Sequence, residues 1–292
     1  MRLKDEDIEL FYKLNRDLLF FVNQKLRFFS SIKSMDDLFA ADIQTIVAIR
    51  NKLYENARLI DQFCDENPQG FDKDEIKIVK SWKHFVQGRF LLYKQYKKYC
   101  VFMQESEKTV RLYAVQALIS DFEEIVPFLP CYADAVLLPF RDVIIYDGVV
   151  VPYNIDFGSG MRRGFKDTFD LVKAKHGIIE KLPAEKPRKP DDAKLLRYYL
   201  KSAANREIYF DEICDLIDKN DELYSLYCQL TGKRYARKFK QLLRDKNISR
   251  GWFAVYEDVI VASGRDKGEA MQNAQTIVSK KDCPNIHFFK VN

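Results

Sequence analysis

Three sets of residues in this chain have the types and spacing to do chemistry. The first is acidic. Asp134, Asp142, Asp147 and Asp156 fall in a β-rich stretch, and carboxylates at strand ends can hold Mg²⁺ for phosphodiester cleavage. A nuclease of the restriction-enzyme type needs a D…[DE]xK pattern on adjacent strands, and this stretch has none. Asp142 and Asp147 read more simply as turn residues, with Asp147-Gly148 a strong two-residue hairpin signal. The second set is GSGMRRGFK, residues 158–166, a glycine-bearing loop that opens a helix. Free N–H groups and the positive dipole end suit a phosphate or carboxylate. Gly158, Gly160, Arg162, Arg163 and Lys166 are therefore anion-binding candidates. The segment is neither GxxxxGK[ST] nor a dinucleotide fingerprint, and a tight turn with close packing is the competing reading.

The third set is the most concentrated. Eight Lys or Arg and a single Asp lie between Lys233 and Arg250, so this run carries +7 while the whole chain carries +5. On a helical wheel Tyr235, Phe239, Leu242 and Leu243 form one stripe. Lys233, Arg237, Lys240 and Arg244 follow the spacing i, i+4, i+7, i+11 on the other side, flanked by Arg234 and Lys238. A helix anchored by one face would show a cationic surface on the other, able to neutralise phosphates and release counterions. These six residues and Arg250 are the nucleic-acid-binding candidates. The order helix, turn, helix, basic helix, hairpin is that of a winged helix-turn-helix. The competing readings are another acidic macromolecule, a solvated face, or pairing with Asp211, Glu212, Asp215 and Asp218. Nearby aromatics such as Tyr198, Tyr199, Tyr209 and Phe210 are core or interface residues before they are base-stacking platforms.

Other chemistries lack a basis. The three histidines, His84, His176 and His287, have no second ligand at metal spacing. No serine sits in a G-x-S-x-G elbow. The six cysteines are scattered singly, which reads as reduced core thiols of a cytosolic protein. No catalytic residue, metal or cofactor is assigned. The clearest short apolar run, Leu18–Val22, is far below the roughly 20 residues of a membrane span. The acidic start MRLKDED is unlike a signal peptide. The expected location is the cytoplasm, with no membrane partner.

The elements that must position these residues follow from periodicity. Apolar residues at helical spacing predict helices over 5–31, 42–66 and 72–99, joined into an antiparallel bundle. The middle predicts strands at 99–104 and 110–115 with a turn at 105–108, a helix at 118–126, and a short β-meander from Ala135 to Tyr153 turning at Arg141-Asp142 and Asp147-Gly148. A helix over 161–175 follows. EKLPAEKPRKPDD, residues 180–192, is the clearest linker. Beyond it come helices at 192–204, 207–218, 221–231 and 233–246, with Gly232 as a break. A hairpin (252–256, 259–262), a helix from Asp266 and a strand over 286–291 close the chain as a ββαβ unit. The division expected is 1–97 helical bundle, 98–179 small α/β segment, 180–192 linker, 193–250 basic helical segment and 251–292 ββαβ unit.

Two segments carry a resemblance. VLLPFRDVIIYDGVV with the following Gly-Ser-Gly turn resembles uncharacterised bacterial proteins that carry a Leu-Leu-Pro-Phe…Ile-Ile-Tyr-Asp-Gly stretch, over about residues 97–180. WFAVYEDVIVASGRDKGEAMQNA resembles a small bacterial ββαβ domain of unknown function. The resemblance implies fold and transfers no activity. The chain reads as an α+β protein, mostly α. The expected function is a non-enzymatic cytoplasmic protein that binds nucleic acid through the basic helix. The alternatives are a protein–protein adaptor or homo-oligomer using the helical bundle, and a phosphodiester or phosphotransfer enzyme centred on residues 134–166.

Overall fold

The computed structural model describes residues 2–106, 109–184 and 189–292. The chain divides into two compact units, residues 1–188 and 189–292.

The first unit opens with α1 (Asp5–Leu26), α2 (Met35–Ala40), α3 (Ile43–Glu55), α4 (Arg58–Glu66) and α5 (Lys73–Ser81). Side-chain caps set several starts: Ser34 and Asp37 close a capping box on α2, and Asp72 and Glu75 close another on α5. Five strands follow: β1 (Val86–Gln95), β2 (Cys100–Glu105), β3 (Val110–Gln116), β4 (Cys131–Phe140) and β5 (Val143–Pro152). The short α6 (Phe122–Ile125) lies between β3 and β4, and α7 (Ser159–His176) follows β5. The strands close into a barrel in the order β1-β2-β3-β5-β4. Every pairing is antiparallel except β3 with β5, where Val115 faces Ile144.

Alternation sorts the strands' side chains into two cores. Phe90, Leu92, Phe102, Tyr113 and Val115 share one with Phe122 of α6, whose ring lies 5.0 Å from Phe102. That core continues into Phe11, Leu14 and Leu18 of α1, Ile49 and Leu53 of α3, Phe63 of α4 and Val79 of α5. The alternate residues Leu91, Val101, Met103 and Leu112 pack under Phe165, Phe169 and Val172 of α7.

This arrangement changes several expectations. The helix expected over 72–99 ends at Ser81, a 3₁₀ turn follows at Trp82–His84, and 86–95 is a strand. Val86, Phe90 and Tyr93 satisfy helical steps, and the run Phe90–Leu92, buried on both faces, masks the alternation that the strand keeps only at its ends. The five N-terminal helices share their core with the barrel, and the 97/98 boundary falls between two of its paired strands. The helix expected over 42–66 is interrupted at Asn56-Ala57, and that over 118–126 shrinks to four residues. The meander is two strands of a closed barrel, turning at Arg141-Asp142 alone. Asp147-Gly148 lies inside β5, where the pairing steps from Ala135↔Val150 to Leu137↔Tyr146. Four residues there span two, so the dipeptide makes a bulge with Gly148 at φ 96°. The turn expected at 105–108 includes residues 107 and 108, and the linker at 180–192 includes 185–188; both sets lie outside the described residues.

The second unit holds α8 (Asp192–Tyr199), α9 (Ala203–Ile208), α10 (Phe210–Ile217) and α11 (Asp221–Asp245), then β6 (Gly251–Tyr256), β7 (Val259–Gly264), α12 (Lys267–Ile277) and β8 (His287–Val291). The antiparallel sheet has the order β7-β6-β8. One face carries Phe253, Val255, Phe289 and Val291 under α11, and the other carries Ala254 and Phe288 near α12's Ala274. The expected ββαβ unit is present, and α11 belongs to the same packing.

Gly232 does not break a helix. It is buried within α11, and a Cβ there would stand 2.7 Å from the His287 Cβ. Glycine lets β8 approach the helix backbone, a reason for a mid-helix glycine that a single sequence does not display.

Candidate nucleic-acid interface

Packing on the sheet fixes the rotation of α11. Tyr235, Ala236, Phe239 and Leu243 face Phe253, Val255, Phe289 and Val291. Lys233, Arg237, Lys238 and Arg244 are consequently exposed, and Arg234 and Lys240 are half-buried. Leu242, expected in the apolar stripe, is 53% exposed beside the cations. Arg250 is exposed in the segment that leads into β6.

Nearby ion pairs are local to other helices: Lys194 with Asp191 and Lys219 with Asp192. Among the described residues no Asp or Glu side chain pairs with the six cations of α11, those of Asp211, Glu212, Asp215 and Asp218 included. The Arg234 guanidinium lies 4.7 Å from the Tyr235 ring centroid, and Arg244 Nη2 donates to the Asn292 carbonyl at 3.4 Å. Arg244, in the last turn, also complements the helix dipole, so part of this charge has a local role.

Two neighbours register the positive potential of this surface. Arg206 donates to the Leu200 carbonyl at 2.9 Å. Burial lowers its pKa, and the charge of Arg234 lowers it further. Burial likewise depresses His287, with Lys233 adding to the effect. Arg206 lies outside the basic run, and only the folding of α9 beside α11 identifies it as a member of this surface.

The winged-helix geometry is absent. A recognition helix enters the groove by its N-terminal residues after a turn. The basic segment here is the C-terminal half of an uninterrupted 25-residue helix. The hairpin of β6 and β7 sits within the sheet between α11 and α12, not as a free wing.

The glycine loop behaves differently from its pattern. Gly158 is the N-cap of α7, without a side-chain cap. A Cβ on Gly158 or Gly160 would meet nothing within 4 Å, so no close approach demands glycine there. Arg162 turns back on the helix entry, donating from Nε to the Phe157 carbonyl at 2.8 Å and from Nη2 to Asp156 at 3.1 Å. Arg163 and Lys166 remain exposed.

The four acids are engaged separately. Asp134 accepts from the Tyr153 hydroxyl at 2.6 Å, Asp142 pairs with Lys181 at 2.6 Å, and Asp156 holds Arg162. Asp147 is buried against Arg50 of α3, which grips it through Nε and, at 3.2 Å, through Nη2. Burial pushes the Asp147 pKa up, while Arg50, the Val149 amide and the Tyr54 hydroxyl pull it down. Among the described residues no group of three His, Cys, Asp or Glu could hold a metal. The six cysteines are free thiols; desolvation pushes Cys64 up to about 11 and raises Cys100 further. Cys64 and Cys100 are therefore poor nucleophiles.

Five-stranded barrels of the oligonucleotide-binding kind use the outer face of their second and third strands. Here Val101, Met103 and Leu112 on that face are buried under α7, so the barrel wall offers no such platform. No described helix is long and apolar enough to cross a membrane. No family model, curated protein or solved structure matches the chain.

Proposed function

We propose that the protein is a non-enzymatic nucleic-acid-binding protein of the cytoplasm, contacting phosphates through the solvent face of α11. Lys233, Arg234, Arg237, Lys238, Lys240 and Arg244 form the contact surface, with Arg206 and Arg250 beside it. One observation carries this reading: a helix anchored to a sheet by its apolar face holds six cations with no Asp or Glu partner among the described residues. From Lys233 to Arg244 the row extends about 16 Å at 1.5 Å per residue. A row of fixed cations matches a repeating polyanion better than a single carboxylate, and each neutralised phosphate releases counterions. The free thiols fit a reducing compartment.

The test is fluorescence anisotropy with a labelled DNA duplex at about 0.1 M salt, the range where phosphate contacts dominate non-specific affinity. K233E/R237E/K240E/R244E is expected to abolish binding with the fold intact by circular dichroism. Undiminished binding overturns the proposal.

A specific observation favours a second reading, a homo-oligomer or adaptor docking through the N-terminal helices. Phe39 and Ile43, at the α2–α3 junction, are 57% and 64% exposed. Light scattering after gel filtration distinguishes the two: a concentration-dependent dimer lost in F39S/I43S supports the second reading, and a monomer at all concentrations removes it.

A further inference from the structure

The first unit carries a second cationic surface. A concavity of about 490 Å³ on α5 is lined by Lys73, Ile76, Lys77, Lys80, Ser81, His84 and Pro183. Lys73, Lys77 and Lys80 repeat the i, i+4, i+7 spacing of a single helix face, and all three are exposed. Among the described residues no acid lines the concavity. Asp74, beside Lys73 on the same helix, and Asp65 of α4 are exposed nearby, and the other neighbouring acids are engaged elsewhere. Glu75 binds Lys13 at 2.7 Å and the Asp72 amide at 3.0 Å. Asp61 binds Lys83 at 2.7 Å, and Asp72 caps the helix through the amides of Asp74 and Glu75. Three lysines thus edge the concavity without an ion pair to any described acid, around a floor of Ile76 and Pro183. The Ser81 hydroxyl donates to the Ile78 carbonyl at 2.6 Å, which leaves its oxygen lone pairs, not its proton, toward the groove. The groove therefore supplies charge rather than a directed hydrogen-bond cradle.

We infer that this α5 groove is a second phosphate-contact site, occupied by the sugar-phosphate backbone of a nucleic-acid strand. The reading rests on the function proposed above and extends it: each unit carries a cationic helix of its own for phosphate contact. Lys73 to Lys80 span about 10.5 Å along the helix. That is about three nucleotide rises of a strand at 3.4 Å each, so one lysine meets each of a few neighbouring phosphates. Two weak sites on one chain reinforce one another when a ligand is long enough to reach both.

The experiment measures binding of the full chain to a labelled single-stranded oligonucleotide of about 40 nucleotides over a series of salt concentrations. The variants are K73Q/K77Q/K80Q and, separately, K233Q/R237Q/K240Q/R244Q. Each removed phosphate contact lowers the slope of log K against log salt by about 0.7 on single strands, so the α5 variant should lose about 2 from the slope. Thermal unfolding checks that the substitutions leave the fold intact. An unchanged slope and affinity in the α5 variant, with binding lost in the α11 variant, overturns the groove inference and leaves the proposed function standing. Loss in the α5 variant with none in the α11 variant supports the groove and overturns the role of α11. Loss in both supports the two-site account, and a wild-type chain that does not bind overturns both.

Discussion

Asp147 and Arg50 show how a residue acquires meaning from a partner that sequence separates by 97 positions. Asp147 precedes a glycine and carries every local mark of a hairpin turn. Its side chain is fully buried, and the Arg50 side chain is only 10% exposed, so each is costly without the other. Arg50→Ala should therefore destabilise the fold by about 3–5 kcal/mol, whereas the double replacement Arg50→Met with Asp147→Leu should cost less, keeping only the loss of the bonds that Asp147 accepts from the Val149 amide and the Tyr54 hydroxyl. Urea unfolding of the three proteins checks this. Equal losses in the single and double variants would show that the pair is not what holds α3 to β5. The hint available in sequence was slight: Arg50 sits directly beside Ile49 in the apolar stripe of its helix.

At the scale of the element, Gly232 separates propensity from packing. Glycine to alanine in a helix interior ordinarily gains about 1 kcal/mol. Here the added methyl would stand 2.7 Å from the His287 Cβ, so Gly232→Ala should instead lose about 1–3 kcal/mol as β8 is forced off the helix. A gain in the unfolding midpoint would contradict this packing. The same contrast explains which elements were legible. Helix 159–176, the hairpin of β6 and β7, and α12 with its cap Asp266 and acid Glu269 were readable because their signals are local. Residues 86–95 were not, since the run Phe90–Leu92, buried on both sides, breaks the alternation at the centre of the strand. The long helix α11 was not, since its central glycine answers a strand more than fifty residues away. Exposure of the α11 cations could be expected from the wheel; that no acid of α10 reaches them could not.

For the whole molecule, a net charge of +5 understates what each unit presents to a polyanion. The cations are grouped on the faces of α11 and α5, so the proposed attraction would be local and strongly salt-dependent. The barrel supplies stability and covers its own outer wall with α7, and the sheet of the second unit sets the rotation of α11. The most direct measurement is the salt dependence of duplex-DNA affinity for the wild-type chain against K233Q/R237Q/K240Q/R244Q. Four lost phosphate contacts should reduce the slope of log K against log salt by about 3.6, at about 0.9 each. Parallel lines for the two proteins would show that the cations of α11 touch no phosphate, and the account would be wrong.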